Sequence, residues 1–298
     1  MEKLVFFGGS SLLAINWANR IASHYEVYLI MHQRLIDLPN VNCIHFEKDF
    51  EVSLISFLGS IKPDLIVNCA GLTNVDQCEV QIEQAKLVNQ DWPKKLAQIS
   101  LDLDCKFVHI STDHLYGDEK NIYTEKDQLR PLNEYAKTKA LGEANVKEIN
   151  PQALIVRTNF YGWGLSYRKS FSDFILDGLR KQSELNLFND VYYTPIYMGE
   201  LIRLLHLALE KKLEGVYNFV GNENITKYEF GKALAQTFSL SSGKISSVSI
   251  ATKKNLVIRP KIMSLSNHKL RRALGVKIPS LNEQLKMMLK EEPKQLLI

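Results

Sequence analysis

The sequence predicts an α/β protein: a doubly wound parallel sheet followed by a smaller, irregular α/β C-terminal lobe. Three observations lead there. Short β-branched or aromatic runs alternate with helical patterns through the first half, the first run opens directly into a glycine turn, and beyond Thr158 the alternation fades.

The runs are LVFF (4–7), VYLIM (27–31), CIHF (43–46), DLIVNCA (64–70), KFVHIS (106–111) and ALIVRT (153–158). Their near-continuous apolar character fits strands covered on both faces by helices. Between the first two, Leu12, Ile15, Ala18, Ile21 and Ala22 recur at helical spacing, so the first unit reads strand, glycine turn, helix, strand. Further on come an aromatic loop holding Gly162 and Gly164, an apolar helix near 171–182, a strand-helix pair at 185–211 and a Ser/Gly-rich loop at 239–247. Thr226 followed by Glu229 is a helix capping box, a stronger reading than the chance glycosylation match Asn224-Ile225-Thr226. RRALGVKIPS and the amphipathic LNEQLKMMLK follow. The expected division is 1–158 as a dinucleotide-binding domain, to which 185–218 returns, and 159–298 as mainly a substrate-binding lobe.

With 298 residues and 45% hydrophobic content the chain can bury a substantial core. A net charge of +4 with scattered basic doublets is too mild for nucleic-acid binding and suits a small anionic ligand. Four cysteines (Cys43, Cys69, Cys78, Cys105) form no C-x-x-C pair, which points to a reducing cytoplasm without a structural metal. Glu2 and Gly8-Gly9 interrupt the N-terminal apolar run as a strand and turn would, not as a signal peptide would, and no run reaches the ~18 apolar residues of a membrane span.

In parallel sheets ligands bind beyond the carboxyl ends of the strands. After the first strand, Gly8, Ser11 and Ala14 lie on the dinucleotide fingerprint G-x-x-G-x-x-G/A. Gly8 can make the tight turn and the helix start can offer N–H groups to a pyrophosphate, while Ser11 narrows the approach where glycine is usual. The second strand ends Met31-His32-Gln33-Arg34 without the acid that grips a ribose 2′-hydroxyl, so Arg34 is a candidate for a 2′-phosphate, favouring NADP over NAD, or else a plain surface arginine. The third leads into Lys48-Asp49-Phe50, where a side chain could bracket adenine or an aspartate simply start a helix.

The strongest pattern is STDHLYG (111–117) followed by YAKTK (135–139). Tyr135 and Lys139, at i and i+4, share one helix face. An unperturbed tyrosine titrates near ~10, and a neighbouring ammonium favours the phenolate, poising the hydroxyl for proton exchange with a carbonyl or alkoxide. Thr112, at the end of the fifth strand, can hydrogen-bond the same oxygen.

These segments, with NCAGLTNVDQCE (68–79) and PLNEYAKTKALGE (131–143), resemble the extended short-chain dehydrogenase/reductases, and among them the dTDP-4-dehydrorhamnose reductases over nearly the whole chain; 189–202, 221–230 and 259–279 match more loosely. The resemblance implies a Rossmann-type fold and reduction of a nucleotide-linked 4-keto-6-deoxyhexose by NADPH. It implies Thr112, Tyr135 and Lys139 as catalytic trio, Tyr135 also touching the nicotinamide ribose. Gly8, Ser11 and Leu12 would line the phosphate turn, and Ala70 and Gly71 the cofactor's path. Thr112, Asp113 and Phe160 would meet the substrate, with Asn159 and Arg259 toward its pyrophosphate. Asn16 replaces a glutamate that binds metal in some members, so no metal-bridged dimer is expected, and a homodimer is left open. His114 stands where dehydratases carry a glutamate, and 111–117 holds no cysteine for C3/C5 proton exchange, so plain reduction remains. Two rivals stand beside it: an epimerase with tightly held NAD, and a non-catalytic dinucleotide-binding regulatory subunit similar to the beta subunit of methionine adenosyltransferase.

Overall fold

The computed structural model describes residues 1–32, 34–46, 49–253 and 255–292. In chain order the elements are β1 (Lys3–Phe7), α1 (Leu12–Ile21), β2 (Glu26–Met31), β3 (Asn42–His45), α2 (Phe50–Ile61), β4 (Leu65–Asn68), α3 (Val75–Val80), α4 (Ile82–Lys86), a π-helical turn (Leu87–Asp91), α5 (Trp92–Asp102), β5 (Lys106–Ile110), α6 (Glu134–Ile149) and β6 (Leu154–Thr158). They continue with β7 (Phe160–Tyr161), α7 (Phe171–Arg180), β8 (Leu185–Phe188), β9 (Tyr192–Tyr193), β10 (Ile196–Tyr197), α8 (Met198–Glu210), β11 (Gly215–Phe219), β12 (Ile225–Thr226), α9 (Lys227–Thr237), β13 (Ile245–Val248), β14 (Ile262–Met263), α10 (His268–Leu274) and α11 (Leu281–Lys290). All six strands read from the first half form, and with β11 they make one sheet in the order β11-β6-β5-β4-β1-β2-β3. The pairings from β3 through β6 are parallel.

Two compact units divide the chain. The first holds Met1–Ser111, Glu134–Val156 and Glu214–Val216; the second holds Thr112–Asn133, Arg157–Leu213 and the chain from Tyr217 onward. In the first, both faces of the sheet are covered, which is why β4 is buried at every residue. Val5, Phe7, Ile30, Ile66, Phe107 and Ile155 of the strands pack against Leu54 and Leu58 of α2 and Leu96 of α5. Chain order reverses between β1 and β4, the switch point at which parallel sheets open a ligand crevice.

The second unit is built on helices with deliberate starts. Ser170/Asp173, Thr226/Glu229 and Ser280/Glu283 are complete capping boxes on α7, α9 and α11, the middle one as read from the sequence. Their apolar faces meet Tyr161, Trp163, Leu187, Tyr193 and Tyr197 in one core. The Ser/Gly-rich stretch 239–247 is not loop throughout. It ends in β13, because Ile245–Val248 pairs in parallel with β8, and backbone pairing outweighs the weak local preference of its serines.

Candidate functional site

In the first unit, the chain turns sharply after β1. Gly8 has φ +80°, and a Cβ there would lie 2.6 Å from the Ala70 Cα, so glycine is required on both counts. Ser11 caps α1, its Oγ accepting from the Ala14 N–H at 3.2 Å. The first turn of α1 carries no acid, and the N–H groups of Leu12 and Leu13 have no acceptor among the described residues. Open donors at the start of a ten-residue helix, beside a glycine turn at the switch point, fit the pyrophosphate of a dinucleotide. Cys69 lies against Ser11, and burial pushes its thiol up to about 12, so it remains protonated.

The path past Ala70 and Gly71 is held from below. The Ala70 N–H donates to Asn68 Oδ1 at 3.0 Å. Asn89, on the π-helical turn, accepts from the Leu72 N–H at 2.9 Å and donates to the Leu72 carbonyl and to Thr138 Oγ1 of α6. A π turn lets that asparagine face inward where a regular helix would rotate it away. Arg34 is exposed just beyond β2. Asp49 precedes α2 with φ +45° and makes no side-chain cap bond. The Phe50 ring meets Phe7, Phe46 and Trp92 edge-on, which commits it to the core edge. Lys48 lies outside the described residues.

Tyr135 and Lys139 sit one turn apart on α6, 6% and 3% exposed. The Lys139 Nζ donates to the Ile110 carbonyl at 2.8 Å, at the carboxyl end of β5. One turn further, Glu143 accepts from the Ser111 hydroxyl. Burial pushes the Lys139 ammonium down to about 8, opposed by the Glu143 carboxylate and then by Cys69. Beneath them His109 is fully buried in β5, with Nδ1 3.1 Å from Asn68 Nδ2. Burial first and the Lys139 cation second push it well below the usual histidine range, so it stays neutral. Asn16 donates to the Leu12 carbonyl from within α1. Among the described residues no cluster of His, Cys, Asp or Glu could hold a metal.

The second unit begins at Thr112. Its Oγ1 lies 3.3 Å from Asp113 Oδ1 and accepts from the His114 N–H at 3.3 Å. Asp113, 2% exposed, accepts from Asn159 Nδ2 at 2.6 Å. Thr112, Asp113 and Asn159 are thus one hydrogen-bonded group. Burial pushes the His114 imidazole down against the pull of Asp113, and Lys227 and Arg259 push it further, so a proton-donating imidazolium is disfavoured there. Phe160 is half-buried on β7, paired with Ile196 of β10, and Arg259 is half-buried. Sequence reasoning gave no role to Glu143, Asn89 or Lys227. Glu143 continues the i, i+4 series of Tyr135 and Lys139 and was findable on that ground. Asn89 and Lys227 meet their neighbours only through the tertiary fold.

The sequence pattern of the RmlD substrate binding domain matches residues 2–293. The chain belongs to this family. Among its relatives is a dTDP-4-dehydrorhamnose reductase of Aggregatibacter actinomycetemcomitans, 28% identical over 93% of this chain and 94% of that protein. Another is methionine adenosyltransferase 2 subunit beta of Xenopus laevis, 27% identical over 70% of this chain and 64% of that one. A crystal structure of a dTDP-4-dehydrorhamnose reductase from Clostridium acetobutylicum superposes with a TM-score of 0.82 at 26% identity, covering 97% of this chain and 98% of that chain. The expected resemblance is therefore borne out, and so is the doubly wound α/β architecture. No helix among the described residues is long and apolar enough to cross a membrane.

Proposed function

We propose that this protein is an NADPH-dependent oxidoreductase that reduces the 4-keto group of a nucleoside-diphospho-4-keto-6-deoxyhexose, in deoxysugar and cell-surface polysaccharide synthesis. The observation that carries the reading is the buried Tyr135–Lys139 pair on α6, with the lysine anchored on the carbonyl that ends β5. Family membership and the reductase relatives support the substrate class. A cytoplasmic location is part of the same proposal. A homodimer is compatible with this reading.

In this mechanism the turn at Gly8, Ser11 and Leu12 would hold the cofactor's pyrophosphate, Ala70 and Gly71 would flank it, and Lys139 would hold its ribose. When bound, the cofactor would supply the hydride that reduces the keto carbon. Thr112 orients the carbonyl, and Tyr135 passes its hydroxyl proton to the oxygen as negative charge develops there. The Lys139 ammonium stabilises the phenolate that remains. Asp113, fixed by Asn159, positions the sugar, with Phe160 and Arg259 completing its binding. A panel of 4-keto-6-deoxy sugars on dTDP, GDP, CDP and UDP, made in situ by dehydratases, should oxidise NADPH in at least one case. No turnover across the panel refutes the proposal.

NADPH is expected over NADH, with Arg34 meeting the 2′-phosphate. Hydrogen bonds to a charged group contribute ~1.5–3 kcal/mol, so Arg34→Ala should erase most of the preference. Unchanged Kd for both cofactors would leave Arg34 as surface. The relation to a methionine adenosyltransferase subunit keeps one other reading alive, a dinucleotide-binding regulatory role. Co-purification with a synthetase, together with inactivity on the panel, would favour it. Cofactor absorbance that survives desalting would favour an epimerase.

A further inference from the structure

We infer that Lys227, acting with Asp113, reads a ring hydroxyl of the hexose and so sets sugar specificity. The inference rests on the ketoreductase reading above. Lys227 is the first residue of α9, and two things fix its place. The Thr226/Glu229 capping box sets the start of the helix, and β12 pairs with β9 so that Ile225 opposes Tyr193.

The side chain is placed as a donor without acceptors. Its Nζ lies 3.3 Å from the centroid of the Tyr193 ring and 4.9 Å from that of Phe171. Two ring faces hold a cation by attraction to the π cloud but accept none of its three N–H bonds in the geometry of a hydrogen bond. Among the described residues no oxygen lies within hydrogen-bonding or ion-pair distance of that ammonium. The Tyr193 hydroxyl, on a residue 2% exposed, also lacks a partner. A buried hydroxyl in that condition costs free energy unless a ligand completes it, and Lys227, half-buried beside it, leaves its ammonium open to an incoming acceptor.

Asp113 supplies the other half. Its charge acts on both Lys227 and Tyr193, yet it forms no direct ion pair with the lysine. It already accepts from Asn159, and a carboxylate has room for further donors. A group standing between a carboxylate and an ammonium must donate to the first and accept from the second, and a hydroxyl does both. A phosphate would face the Asp113 charge, and an apolar substituent would leave both groups unpaired. Hexose ring hydroxyls are the fitting class, and because Asp113 follows Thr112 directly in the chain, the hydroxyl read is one near the reacting carbonyl.

The test compares wild type, Lys227→Met and Lys227→Arg on the accepted 4-keto sugar and on analogues with one ring hydroxyl at a time replaced by hydrogen. Lys227→Met should raise KM about 10- to 100-fold, the range for a hydrogen bond to a charged group, with the Kd for NADPH unchanged. Lys227→Arg, which keeps charge and donors, should recover part of the loss. One analogue should lose a similar factor with wild type and almost nothing more with Lys227→Met, since the two changes remove the same contact. A wild-type KM in the Met variant, or losses that add for every analogue, overturns the inference. Should the Met variant melt early, Lys227→Leu, which also removes the charge and every donor, carries the same comparison. Absence of wild-type turnover on any 4-keto sugar overturns the ketoreductase reading and this one with it, whereas turnover with additive losses overturns only the role of Lys227.

Discussion

Replacing Tyr135 with phenylalanine should lower turnover of the accepted sugar ~10²–10⁴-fold, the contribution of a positioned general acid. The ring remains as packing on α6, so thermal stability and NADPH affinity should change little. Lys139→Met should go further and weaken cofactor binding as well. It removes the charge that favours the phenolate, a ribose contact and the donor to the Ile110 carbonyl. The two losses in turnover should not add, since both act on one proton transfer. Stopped-flow oxidation of NADPH with the single and double variants checks this. A Tyr135→Phe protein of full activity would assign the proton to another group, and one that cannot fold would make Tyr135 a core residue.

A second large effect is expected in stability, at Gly142. A Cβ there would lie 2.1 Å from the Asn89 carbonyl oxygen, and that oxygen belongs to backbone in the π-helical turn, which cannot swing aside as a side-chain tip would. Overpacking of this kind costs ~1–3 kcal/mol, and occasionally more. Gly142→Ala should therefore lower the melting temperature by about 2–10 °C for a chain of this size. Because the displaced turn also carries the Asn89 side chain that fixes Leu72 and Thr138, the Kd for NADPH should rise together with the loss of stability. An unchanged Tm would show that α6 and the turn separate freely.

What was legible in the sequence was whatever repeats within a few residues. The six apolar runs became strands because parallel strands buried on both faces need no pattern beyond being apolar. Tyr135 and Lys139 could be paired because four residues make one helical turn. β7, β9, β10, β12 and β14 are two residues each, too short to carry a period, and exist through pairings set by the tertiary fold. β11 shows no run of its own in the sequence because Gly215 and the polar Asn218 dilute its apolar signal. In the site, Gly8 was readable as a turn, but its need for glycine is doubled by Ala70, 62 residues away in a different strand-turn. The chemistry around Lys227 comes from β9, α7 and the segment that begins at Thr112, and no local pattern could announce it.

The chain leaves the first unit at Thr112 and re-enters it at Glu134. On either side of that excursion stand fixed posts, Ile110 and Ser111 bonded to Lys139 and Glu143. Between those posts the excursion is itself held: Tyr116 and Tyr123 are buried and stacked, and Asp118 accepts from the Lys261 and Ile262 N–H groups of the second unit. A change of sequence in 114–132 is therefore felt first by the packing of the second unit, while the ties of Ile110 and Ser111 to α6 lie outside the excursion and go on fixing the helix that carries Tyr135 and Lys139.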